Sequence, residues 1–212
     1  VRSPLAERDR DRLVEAMLPD VAFDGWSYAA VRVAARQLGM PDAEAEALFP
    51  RGAPDLVAAF SRWADRRMLD EYEGTAEAAE GTSARIRRAL ELRLDVVAPW
   101  REAVRRALSV LALPPHAALG ARLVYETVDG MWYAAGDAST DFSFYTKRAT
   151  LAAVYGAVLL YWLEDRSENF ADTHSFIDRR LADVAWLGAT RARLEKMVER
   201  LPNPFRLLRP MR

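Results

Sequence analysis

Ser27–Leu56 reads SYAAVRVAARQLGMPDAEAEALFPRGAPDL, and its spacing decides the fold. Ala30, Val33, Ala34 and Leu38 recur at helical intervals and predict the inward stripe of a helix from Ser27 to Leu38. Ser27 is its expected N-cap, since a serine hydroxyl satisfies an unpaired N–H of the first turn, and Gly39 its expected stop. A short helix follows from Asp42, the expected cap, to Leu48, halted by Pro50, with Ala45, Leu48 and Phe49 as return contacts. A new helix opens at Pro54-Asp55-Leu56. Helix, glycine turn, short helix and phenylalanine–proline corner together make a helix–turn–helix arrangement.

Outward from this stretch the same period persists. Leu5–Leu18 forms a first helix expected to end before Pro19, and the helix that opens at Pro54 runs to Tyr72, before the low-complexity stretch Gly74–Gly81. Ile86, Leu90, Leu94 and Val97 mark one face of a fifth helix, and Val104, Leu108 and Leu111 one of a sixth that ends at Pro114-Pro115. Ala117–Ala135, Asp141–Leu163 and Asp172 toward Leu201 complete nine predicted helices, with no sustained period-two run, so the expected class is all-α. Three parts are expected: a helix–turn–helix-like part over 1–73, a helical body over 82–187, and a basic amphipathic end over 188–212.

The chain has 212 residues, 51% hydrophobic and 29% charged, with formal net charge −1, as expected of a soluble chain of one or at most two domains. With no cysteine there is no disulfide, thiolate nucleophile or Cys-ligated metal. Neither histidine, His116 or His174, follows a glutamate by three positions, so the Glu-x-x-His pairs of a di-iron bundle are missing. No nucleophile elbow, phosphate loop or metal motif stands out, and of the carboxylates Asp129, Asp137 and Asp141 near the expected pocket mouth, capping explains Asp141 and helix-end geometry Asp137, so neither an enzyme nor a cofactor is expected. The charged segment Val1–Arg12 carries no secretory signal, and Leu151–Leu163 is too short to span a bilayer.

The helix–turn–helix arrangement resembles the N-terminal DNA-binding domain of tetracycline-repressor-type regulators. Its charge opposes that role: Asp42, Glu44 and Glu46 sit on or beside the helix that would enter the groove, while Arg32, Arg36 and Arg51 lie outside it. A retained scaffold without nucleic acid is the expected reading, with a ligand-responsive regulator as the alternative and a ligand-free dimerisation module as a third.

The most informative stretch is Val128–Tyr155. Met131, Trp132 and Tyr133 before a short polar loop, and Phe142, Phe144 and Tyr145 after it, gather large apolar groups. Phe144, Tyr145, Lys147 and Arg148 run around the helix, so some of this aromatic–basic cluster faces outward, as at a partner-binding hot spot. The run Gly-Asp-x-Ser-Thr-Asp-Phe over 136–142, with Tyr-Thr-Lys-Arg-Ala over 145–149, resembles the ubiquinone biosynthesis accessory proteins of the COQ-nine type. So do Phe-Asp-Gly-Trp at 23–26, Leu-Phe-Pro at 48–50, Phe-Ala-Asp-Thr at 170–173 and Phe-Ile-Asp-Arg-Arg at 176–180, so that the resemblance covers Leu13–Val184.

The resemblance implies a tetracycline-repressor-like fold that has lost its DNA role, binds isoprenoid quinone intermediates or other lipid, docks on membrane through its C-terminal end, and assists the di-iron hydroxylase acting on demethoxyubiquinone. A homodimer is a further expectation. Carried over by position, the surface patch for partner contact comprises Asp129, Met131, Asp141, Phe144, Tyr145 and Arg148. Phe144 and His174 stand where the family is expected to carry tryptophan.

Leu151–Leu163 is apolar around most of its circumference, the signature of a buried central helix, and Ala152, Ala153, Gly156 and Ala157 leave room for a cavity or for close helix approach. The resemblance selects an isoprenoid pocket, with Met131, Trp132, Val154, Tyr155, Val158, Leu159 and Trp162 as its expected lining. From Gly188 to Arg212 seven basic residues face two acidic ones, a basic end on an acidic body. Its apolar Leu194, Met197, Leu201, Phe205 and Leu208 beside Arg206 and Arg209 read as an anchor on anionic lipid, the alternatives being packing on the body or on a second subunit. The expected location is the bacterial cytoplasm, peripheral on the inner membrane, or the mitochondrial matrix.

Overall fold

A computed structural model describes the backbone of residues 4–74, 81–137 and 142–199, and the side chains of 5–74, 81–137 and 144–186. Among them lie nine α-helices: α1 (Pro4–Asp24), α2 (Tyr28–Gln37), α3 (Asp42–Ala47), α4 (Ala53–Gly74), α5 (Thr82–Val97), α6 (Arg101–Leu111), α7 (Ala117–Ala134), α8 (Phe142–Glu164) and α9 (Ala171–Glu199). The described residues contain no strand, so the all-α expectation holds. None of these helices by itself is long and apolar enough to cross a membrane.

Local chemistry explains several helix ends. Ser27 caps α2 as expected, its Oγ accepting from the Ala30 N–H at 3.4 Å, and Gly39 follows at φ +66°, the left-handed conformation that glycine adopts without steric cost. Gly136 at φ +78° stops α7 in the same way. Two expectations are corrected. Helix α1 runs through Pro19 to Asp24, because Val21 beyond the proline is fully buried and its packing outweighs the missing N–H. Helix α3 is entered from Pro41, and Asp42 is its first helical residue rather than its cap.

Helix α4 is the spine. It packs on α1 on one side and on α5, α6 and α7 on the other, burying Leu56, Phe60, Trp63, Ala64 and Met68. The core face of α2 is Ala30, Val31, Ala34 and Ala35, rotated from the expected stripe so that Val33 is half-buried. Two of the quoted motifs do structural work here. In Phe-Asp-Gly-Trp, the Trp26 indole N–H donates to the Ala103 carbonyl of α6 at 3.0 Å, and Phe49 of Leu-Phe-Pro is fully buried while its carbonyl accepts from the Tyr28 hydroxyl at 2.7 Å.

Helix α8 departs from the buried central helix expected of it. It packs on α7 and α9, but Ala153, Ala157 and Leu160 are exposed, because no described element covers its outer side. Its C-terminal carbonyls, which have no intrahelical donors, are taken by Arg101, whose Nη2 donates to the carbonyls of Trp162, Leu163 and Asp165 at 2.6, 2.7 and 2.9 Å. Asp165 then starts the turn into α9: Oδ1 accepts from the Ser167 N–H and hydroxyl at 2.8 and 2.6 Å, and Oδ2 from the Thr173 N–H and hydroxyl at 2.9 and 2.5 Å.

Candidate functional site

The packing of α5, α7, α8 and α9 leaves a half-open cavity of about 540 Å³. Thr82, Ser83 and Ile86 of α5 form one wall, Trp132 of α7 the next, Thr146, Lys147, Thr150, Leu151 and Val154 of α8 the third, and Leu181, Val184 and Ala185 of α9 the last. The size falls within the range of small-molecule sites, and the lining is apolar with a few hydroxyls, as such sites usually are. It includes no histidine and no carboxylate.

The lysine in that lining is already neutralised. Lys147 Nζ donates to Asp137 Oδ1 at 2.8 Å, while Arg148 donates to Asp129 Oδ1 at 2.5 Å and to Asp137 Oδ2 at 3.3 Å. Arg148 also lies 3.4 Å from the centre of the Phe144 ring, which meets Tyr145 edge-on at 5.2 Å. The Gly-Asp and Tyr-Thr-Lys-Arg segments of the quoted motif are thus joined by a charge network that ties the end of α7 to the start of α8.

Of the expected lipid-lining residues, the structure brings Trp132 and Val154 to this cavity. Met131, Val158 and Trp162 are fully buried in the core and line neither this space nor the second one described below, because they project between helices rather than into the gap. Tyr155 and Leu159 point the other way, into a second space of about 70 Å³ among α4, α5, α6, α7 and α8. Sequence reading missed the α5 and α9 walls; the threonines and serine among apolar turns of α5 and α8 are the signal that was there.

The expected surface patch divides by depth. Tyr145 is 68% exposed, Phe144 is half-buried and Asp129 is partly exposed. Met131 is fully buried and Arg148 is 5% exposed, so neither is a surface residue: one fills the core and the other is consumed by its two aspartates. Asp141 lies outside the described residues, and Leu194, Met197, Leu201, Phe205, Arg206, Leu208 and Arg209 lie outside the described side chains. Both histidines have local partners, His116 Nδ1 donating to the Val110 carbonyl at 2.9 Å and His174 Nδ1 to Glu91 Oε1 at 2.7 Å. In the helix–turn–helix part, Glu46 accepts from Arg32 at 2.7 Å, which leaves the acidic character of α3 largely in place.

One buried polar cluster gave no signal in the sequence. Arg93 of α5, 4% exposed, donates from Nε to Asp65 Oδ1 of α4 at 2.8 Å, and the Thr127 hydroxyl of α7 donates to the same oxygen at 2.9 Å. Burial pushes the Asp65 carboxyl above its ordinary value, against the pull of Arg93 and Thr127. Burial likewise pushes up the neighbouring Tyr155 hydroxyl, which therefore stays protonated and able to donate.

Comparison with known proteins adds a lineage. Residues 117–188 match the COQ9 family model. The human protein "Ubiquinone biosynthesis protein COQ9, mitochondrial" is 34% identical over 203 residues, covering 92% of this chain and 63% of its own length. The Drosophila melanogaster protein of the same name is 28% identical, covering 92% of this chain and 61% of its own. The chain thus spans somewhat under two thirds of these relatives. Among solved structures, a TetR transcriptional regulator from Nitrosomonas europaea ATCC 19718 superposes with a TM-score of 0.66 at 27% identity, covering 84% of this chain and 98% of the other.

Proposed function

We propose, from the match of residues 117–188 to the COQ9 family model, the 34% identity to the human COQ9 protein and the TetR-like fold, that the chain is a COQ9-type, non-catalytic lipid-binding accessory protein of ubiquinone biosynthesis. It holds an isoprenoid quinone intermediate or another lipid and presents it at a membrane surface to the demethoxyubiquinone hydroxylase. The observation that carries this reading is the half-open apolar cavity of about 540 Å³. Burial of a long hydrocarbon chain there is favourable at roughly 25 cal/mol per Å² of apolar surface removed from water. A lining without histidine or carboxylate, and with its lysine held by Asp137, supports binding rather than chemistry.

Presentation follows from adjacency. Exposed Tyr145 precedes Thr146 and Lys147, both in the cavity lining, so a partner seated on Tyr145 sits beside the mouth. The basic C-terminal segment is the proposed membrane contact, on the matrix side in a mitochondrion or the cytoplasmic side in a bacterium; the relatives compared above are named as mitochondrial.

The test is organic extraction of the purified protein followed by lipid mass spectrometry, on the native chain and on Ala185→Trp, which places bulk at the exposed edge of the cavity without entering the core. A co-purified quinone, isoprenoid or phospholipid that is lost from the variant bears the reading out. An empty extract from well-folded native protein, unchanged after incubation with liposomes carrying ubiquinone, overturns it. The likeness to a TetR regulator keeps a ligand-responsive DNA-binding role as the second reading. It requires duplex retention at low salt that falls steeply as salt rises, and the carboxylates of α3 argue for none.

A further inference from the structure

The second cavity, among α4, α5, α6, α7 and α8, shares no lining residue with the first. Its volume of about 70 Å³ exceeds the roughly 10–15 Å³ needed for one water and admits a compact group. Most of its wall is aliphatic or aromatic, including Val57, Phe60, Val104 and Leu123, yet Arg93, Tyr155, Ser61 and Thr127 also line it, the Thr127 hydroxyl being spent on Asp65.

Neither Arg93 nor Tyr155 is used up by the protein. A guanidinium has five N–H donors, and among the described residues Arg93 spends its Nε–H on Asp65 and makes no other hydrogen bond. The Tyr155 hydroxyl makes none. Both side chains are at least 95% buried, and neither Arg93 Nη1, Arg93 Nη2 nor Tyr155 Oη is among the polar atoms sealed off without a partner. Their free donors therefore open onto the cavity, the space they line. A buried donor left without an acceptor is costly, and native proteins nearly always supply one.

We propose that this second cavity is a binding site for a compact, uncharged group bearing an oxygen acceptor, such as a small ketone, received by the Arg93 Nη N–H groups and the Tyr155 hydroxyl. Charge selects the uncharged class. Asp65 already balances Arg93 at 2.8 Å, so a bound carboxylate would leave an unpaired negative charge in a low-dielectric interior. A carbonyl takes the same donors without that penalty, and its hydrocarbon part meets the apolar wall. The site is independent of the lipid reading of the larger cavity.

A matched pair of probes tests it: cyclopentanone, an uncharged carbonyl on a small ring, and cyclopropanecarboxylate, a carboxylate of the same size. Each is titrated into the intact chain while the Arg93 Nε–H resonance is followed by NMR. The resonance is assigned with the Asp65→Leu/Arg93→Met double variant, which removes both charges together. Cyclopentanone is expected to shift the resonance saturably and cyclopropanecarboxylate to leave it in place. Tyr155→Phe, which keeps the ring and deletes one donor, should weaken cyclopentanone about three- to tenfold, the worth of one hydrogen bond. Saturation by the carboxylate alone overturns the uncharged class. No shift with either probe reduces the cavity to a water-filled gap, and unchanged cyclopentanone affinity in Tyr155→Phe removes the tyrosine from the site. None of these outcomes depends on whether the larger cavity holds lipid.

Discussion

Asp165→Asn should destabilise the fold by about 2–3 kcal/mol at neutral pH, and that loss should vanish in acid. Asp165 is 6% exposed and accepts four hydrogen bonds, from the N–H and hydroxyl of Ser167 and of Thr173. Burial alone would raise its pKa, but these four donors outweigh it and bring the carboxyl down from 3.8 to about 2. Each unit is worth about 1.36 kcal/mol, so the ionised form is favoured in the folded state by about 2.4 kcal/mol. Asparagine has the shape of the neutral acid, and its cost at pH 7 therefore approximates this difference.

The sign follows from the depressed pKa. Stability from Asp165 is fully present above the unfolded value of 3.8 and is lost as pH falls through about 2. Urea unfolding of wild type and Asp165→Asn at a series of pH values gives both free energies, and the melting temperature at pH 7 should fall by roughly 5–10 °C. A gap below about 0.5 kcal/mol at pH 7 would refute the reasoning, as would one that stays constant down to pH 3. Since α9 forms a wall of the larger cavity, ligand affinity should decline along with the turn that positions it.

Three further outcomes are expected. Asp65→Ala leaves buried Arg93 without its counter-ion and should cost about 3–5 kcal/mol in urea unfolding, whereas replacing both partners by Leu and Met should come out near neutral. Gly136→Ala forces a Cβ into φ +78° and within 3.3 Å of Arg85 Nη1, for a loss of about 1–2 kcal/mol read as a lower thermal midpoint. Tyr145→Ala should weaken the proposed hydroxylase binding about tenfold or more in a pull-down or calorimetric titration with little change in helicity, because a 68% exposed ring contributes little to the core; undiminished affinity would remove Tyr145 from the proposed interface.

Much of this was legible in the chain because it is local. Ser27, Gly39 and Gly136 each act on the turn they belong to, and their chemistry predicts that turn wherever it is placed. The apolar period of α5 likewise predicted a buried face that the structure keeps in Ile86, Leu90, Leu94 and Val97. Where prediction failed, a neighbour decided. Pro19 lies within α1 because Val21 is held by the core, and α8 is open on one side because no described element covers Ala153, Ala157 and Leu160. An apolar composition around a helix says that it dislikes water on every side, not that the fold covers every side.

The same division runs through the candidate sites. The sequence by itself determined the class, the number of helices among the described residues and the resemblance to COQ9 proteins, and it singled out 136–149 as special, since periodicity, turn chemistry and motif are properties of neighbours along the chain. Only the tertiary structure decided that Arg148 is buried between Asp129 and Asp137, and that Val154 and Tyr155, adjacent in sequence, open onto different cavities. It also brought Arg93, Asp65 and Tyr155 together from α5, α4 and α8. A cavity is the space several helices fail to fill and a buried charge needs a partner from elsewhere, so both arise from separations in space that no local pattern encodes.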